Sequence, residues 1–176
     1  MALKATIYKA DLQITDMDRH YYQSHALTLA CHPSENEERM MVRLLAFCLH
    51  ADENLSFTRG LSTENEPELW QKNLQGDIEL WIDLGQMDEK RIRKACARSD
   101  QVVIYTYQQR SAHVWWNNIK DKLQRFDNLR VFHLKNETVK KLADMAKRNM
   151  QIQCTIEDAN IWLTDTETSI EVTFVA

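Results

Sequence analysis

The sequence predicts an α/β protein with a mixed sheet, and three observations carry that reading. Residues 76–85 alternate Ile78, Leu80, Ile82 and Leu84 with Asp77, Glu79, Trp81 and Asp83, the period of a strand with one apolar and one acidic face. Residues 101–108 open on a nearly continuous apolar run, Val102 to Tyr105, which suits a strand covered on both faces and paired with the first. Helical patterns follow each of them, so strand and helix alternate at the cadence of an α/β unit.

Taken in order, Tyr8, Ala10, Leu12 and Ile14 alternate with Lys9, Asp11 and Gln13, and the run Asp16, Met17, Asp18, Arg19 turns the chain into a second strand over 20–31. On that strand His20, His25, Tyr21 and Tyr22 read as sheet structure before they read as a binding surface. Pro33 and Ser34 predict a helix start, with Ser34 as N-cap and Glu37 completing a capping box. The stripe Met40, Met41, Leu44, Leu45, Phe47, Cys48 carries this helix to about Ala51. A short strand is expected over 55–62, closed by Gly60 and Ser62, then an acidic loop over 63–68 that Leu69 and Trp70 pin to the domain.

Beyond the central strand, Asp88 caps a basic helix over 88–98. The strand at 101–108 leads to a helix at 111–126, whose His113, Trp115 and Trp116 accompany it, the two indoles reading as core. A strand at 129–134 and a helix at 137–150 follow. The chain closes with strands at 151–156, 159–164 and 168–175, a small antiparallel sheet with a polar turn at Asp165, Thr166 and Glu167.

The totals set limits on function. At 176 residues the chain has the size of one domain, expected to span 1–176. With 22 basic against 26 acidic residues, there is no bulk attraction to nucleic acid, and any such contact needs a local basic patch. The cysteines at 31, 48, 96 and 154 lie far apart, as reduced thiols of a cytoplasmic protein do. Neither a signal peptide nor a membrane span is expected. Three glycines and two prolines leave no room for a flexible linker or a glycine-rich phosphate loop. The six histidines show no metal-ligand spacing, which argues against zinc.

The acidic strand face, the Glu66, Pro67, Glu68, Leu69, Trp70 segment before it and the Lys/Arg-rich helix after it are the ingredients of a divalent-metal site facing an anion. This arrangement resembles the YaeQ family, whose fold is a variation on the PD-(D/E)xK nuclease core. The resemblance covers nearly the whole chain: the two hairpins at the ends, the His32, Pro33, Ser34, Glu35 helix start, Glu66 to Trp70, Glu79 to Gln86, and Asp88 to Ala95. It implies a restriction-endonuclease-like core with flanking antiparallel hairpins, and magnesium, with manganese as substitute, held by carboxylates that activate a water for phosphodiester cleavage.

On that pattern Glu68 stands for the first acid and Asp83 for the second, and Glu38 of the first helix is a further candidate metal ligand. Glu79, sharing a face with Asp83, is another. The motif lysine should fall at position 85, which is Gly85. Gln86 could orient water but not supply charge, and Lys90 or Lys94 could reach back in the lysine's place. Arg91, Lys94 and Arg98, spaced to share a helix side with Lys90, are the expected phosphate contacts. The alternative is a nuclease-like fold without catalysis, serving as a nucleic-acid or protein-binding module. The chain is expected to act as a monomer, with nucleic acid as possible partner and no membrane.

Overall fold

The computed structural model describes residues 4–59 and 65–176. The expected strand end at Gly60 and Ser62, and Thr63 and Glu64 of the acidic loop, lie outside the described residues. In chain order the elements are β1 (Thr6–Asp16), β2 (Tyr21–Cys31), α1 (Glu37–Leu49), β3 (Leu55–Phe57), β4 (Leu69–Lys72), β5 (Ile78–Leu84), α2 (Glu89–Arg98), β6 (Ser99–Thr106), α3 (Gln109–Leu123), β7 (Leu129–His133), α4 (Asn136–Asp144), β8 (Asn149–Glu157), β9 (Asn160–Thr164) and β10 (Ser169–Val172). They form two compact units. One takes the chain up to Cys48 with Asn136–Phe174, the other Leu49–Lys135 with Val175–Ala176.

The first unit holds a five-stranded sheet in the order β10-β9-β8-β1-β2. The two terminal hairpins are therefore one sheet, because β8 lies parallel to β1 with Ala10 beside Met150, Leu12 beside Ile152 and Ile14 beside Cys154. All six of these side chains are buried, so the alternation of both strands serves one core face. The same pairing corrects the helix expected over 137–150: α4 stops at Asp144, and the strand starting at Asn149 takes over. His20 sits in the hairpin turn with φ +54°, outside the strand expected to include it.

In α1, Met40 to Cys48 are buried throughout, Arg43 included. Each large apolar side chain buried there contributes about 1.5–3 kcal/mol. The helix opens two residues later than the capping box predicts. Asn36 is the effective cap, its Oδ1 accepting from the Arg39 amide at 2.9 Å, while Ser34 Oγ bonds His32 Nδ1 at 2.8 Å instead. Glu37 accepts from the Tyr8 hydroxyl at 3.2 Å. His25 stacks on Tyr21 and meets Phe47 edge-on, a packing role.

The second unit holds a sheet in the order β3-β4-β5-β6-β7. β5, β6 and β7 run parallel, and β3 and β4 are antiparallel additions. The pairing of the central strand with the next is as the sequence predicts. Parallel strands need crossovers, which α2 and α3 provide. Ile92 and Ala95 of α2, Ile119 and Leu123 of α3, Ile78 and Trp81 of β5, and Val102 and Ile104 of β6 make one apolar cluster. Trp115 and Trp116 pack against it, in keeping with their reading as core.

Two local readings change. Residues 69–72 form a strand where the sequence promises only a pinned loop, and the β4–β5 register shifts between Gln71 and Lys72. That irregularity breaks the simple alternation, so Ile78 joins Trp81's cluster. The acidic face of β5 is also no open surface: Trp81 and Asp83 are each 2% exposed.

Candidate functional site

The antiparallel register of β4 and β5 builds the site. Leu69 stands opposite Ile82, and the Glu68 amide donates to the Ile82 carbonyl at 3.0 Å. Glu68 immediately precedes β4, and Asp83 follows Ile82 in β5. Both are buried, at 5% and 2% exposure. Buried carboxylates are costly in a medium that screens poorly, so a cation must compensate them.

That cation is Arg91. Its Nε donates to Asp83 Oδ2 at 3.0 Å and its Nη2 to Asp83 Oδ1 at 2.9 Å, the fork that matches a carboxylate. Trp81 Nε1 donates to Oδ2 as well, at 2.9 Å. Burial works against the guanidinium charge, but the hydrogen bonds and field of Asp83, followed by Glu68 and Asp88, outweigh it and hold Arg91 above its ordinary pKa. Arg91 Nη2 also donates to the Glu66 carbonyl at 2.9 Å. Local sequence places it: Asp88 caps α2 as expected, its side chain accepting from the Arg91 amide at 2.7 Å, so Arg91 lies in the first turn, just past the end of β5.

Arg98, two turns on, donates to the Asn65 carbonyl at 3.0 Å, and its guanidinium lies 5.3 Å from the Trp81 ring centre. Both arginines expected as phosphate contacts thus hold the segment before β4. Lys90, Arg93 and Lys94 remain exposed on α2.

Gly85 has φ +94°, a backbone conformation that disfavours any residue with a Cβ, and its amide donates to the Tyr105 carbonyl at 2.8 Å. A lysine cannot occupy the motif position without strain, although the space around it is open enough for a Cβ. Gln86 donates its side-chain amide to Ser111 Oγ at 2.7 Å, at the start of α3. Glu79 is half-buried in β5. Glu38 belongs to the first unit, where it lines a cavity with Tyr8, Cys31, His32, Glu35 and Glu37.

Arg91 bonds Asp83 and lies in the field of Glu68, a role between the two acids that the sequence did not assign. Its signal lay in the helix-capping pattern, which turns Arg91 back toward the end of β5. Among the described residues, no three His, Cys, Asp or Glu side chains converge as a metal-binding group, and no helix is long and apolar enough to cross a membrane.

A family model described as YaeQ protein matches residues 1–174. The YaeQ protein of Escherichia coli (strain K12) is 48% identical over 176 residues, 100% of this chain and 97% of the relative. That of Salmonella typhi matches to the same extent. The crystal structure of YaeQ from Xanthomonas axonopodis pv. citri superposes with a TM-score of 0.93 at 46% identity, over 97% of this chain and 96% of that one. The Pseudomonas syringae YaeQ structure gives 0.91 at 34%, over 97% and 94%.

Proposed function

The chain belongs to the YaeQ family, and on that premise we propose that it is a nucleic-acid-binding accessory module on a nuclease-like fold, with its acid site closed by an internal ion pair. The observation that carries this reading is the two-pronged Arg91–Asp83 contact. Magnesium takes oxygen ligands in near-octahedral geometry and keeps several waters. Asp83, 2% exposed with both oxygens already accepting from Arg91 or Trp81, does not fit that demand.

What supports the nuclease-like ancestry is one buried acid just before β4 and another near the end of β5 of a mixed sheet, followed by a basic helix. Arg91 supplies the positive charge that the motif lysine would bring, but held above its ordinary pKa it takes no proton from water. What supports nucleic acid as partner is the exposed cationic side of α2. Lys90 and Lys94 are one turn apart, positioned for sequence-independent phosphate contacts.

Fluorescence anisotropy with labelled DNA and RNA across a salt series tests this. Binding should weaken with salt, and Lys90→Glu with Lys94→Glu should lower both the affinity and the salt slope, the slope by roughly 1–2. Salt-insensitive binding, or binding unchanged by the double substitution, would remove α2 from the interface.

A further inference from the structure

A second feature of the Leu49–Lys135 unit lies apart from the acids. A cavity of about 500 Å³ is lined by Gln109, Arg110, His113, Val114, Trp116 and His133, with Val175 and Ala176 closing one wall. The Val175 amide donates to the His133 carbonyl at 2.7 Å, which fixes that wall to the end of β7. The volume falls in the range of small-molecule sites.

The lining has the polarity of a ligand site. Trp116 gives an aromatic wall, set edge-on to the His133 ring at 5.2 Å and 65°. His133 Nδ1 is tied to Thr106 Oγ1 at 2.7 Å, whereas its Nε2 is buried with no hydrogen-bond partner among the described residues. A buried ring nitrogen left in that state is costly and needs an explanation. Asn117 Nδ2 lies 3.1 Å from His113 Nε2, and the ring's second nitrogen makes this imidazole a further polar group of the lining. Arg110 is exposed in the first turn of α3, and Gln108 makes no side-chain capping hydrogen bond to that turn. Its backbone amides and the guanidinium both favour an anion.

We propose that this cavity binds a heteroaromatic anion of mononucleotide size, its ring against Trp116 and the histidines and its phosphate at Arg110. An aromatic ring alone would leave Arg110 without use, and inorganic phosphate alone would leave the Trp116 wall without use. Such an anion could be a free nucleotide or the phosphorylated end of a strand.

Isothermal titration of the full chain with adenosine 5′-monophosphate tests the proposal. Saturable binding is expected, weakened about tenfold or more by Arg110→Ala and by His133→Gln, with adenosine and inorganic phosphate each binding more weakly than the nucleotide. Arg110 is exposed, so its replacement should fold normally, which circular dichroism checks. Tighter binding of 5′-phosphorylated than of 5′-hydroxyl decathymidylate, competed by the nucleotide, assigns a strand end. Equal binding of the two, with the nucleotide still bound, assigns the free nucleotide. Failure of adenosine 5′-monophosphate to bind at millimolar concentration, or the same affinity in Arg110→Ala, overturns the proposal. The Lys90→Glu, Lys94→Glu chain should bind this probe normally, so the outcome is separable from that for α2.

Discussion

Arg91 meets Asp83 through two parallel hydrogen bonds, Nε to Oδ2 at 3.0 Å and Nη2 to Oδ1 at 2.9 Å. The pair sits where β5 ends and α2 begins, and Glu68, just before β4, adds its field to Arg91. Removing the arginine would leave the buried Asp83 carboxylate without its counter-charge and the buried Glu68 carboxylate without that cation's field.

Arg91→Ala should therefore destabilise the chain by about 3 kcal/mol, the lower end of the range for breaking a buried pair, since the arginine side chain is still 24% exposed. Urea unfolding measures it. Arg91→Lys should recover only part, because a point charge cannot make the fork. A loss below about 0.5 kcal/mol would place the pair among ordinary surface contacts.

Gly85→Ala should cost about 1–2 kcal/mol in the same assay, because its φ of +94° disfavours a Cβ. Gly85→Lys should be strained likewise and should not create hydrolytic activity. Cleavage of a labelled oligonucleotide by Gly85→Lys would show that only the missing lysine had silenced the site.

Asp88→Ala should cost about 1 kcal/mol by removing the cap that accepts from the Arg91 amide. It should also loosen the Arg91 fork, so the effects of Asp88→Ala and Arg91→Ala should fail to add. Strict additivity in a double-mutant cycle would separate the two.

His133 is held below its ordinary pKa of 6.5 by burial and, second, by His113; burial does the same for His25. The unfolded chain then takes up protons first as pH drops. Stability should be full above about 6.5 and decline as pH falls from there through the lower folded-state values. His133→Gln should flatten part of that decline in unfolding midpoints measured between neutral and mildly acidic pH. An identical slope in the variant would contradict the assignment to His133.

Much of this was legible in the sequence. The alternation of β1, the apolar stripe of α1 and the cap at Asp88 depend on local periodicity and capping chemistry, which act within a few residues. What escaped was decided at long range. The strand at 69–72 exists because β5 offers it a partner, and the helix expected to reach Met150 gives way because β1 offers one to β8. Asp83's burial and its capture by Arg91 depend on α2 folding back over β5, which alternation along a single strand cannot announce.

The most direct test incubates the full chain with labelled single-stranded and duplex DNA and RNA, with magnesium and with manganese, beside Asp83→Ala and the Lys90→Glu, Lys94→Glu chain. The account predicts retention of intact nucleic acid, lost when the two lysines are reversed. Cleavage by the native chain that disappears in Asp83→Ala would contradict it.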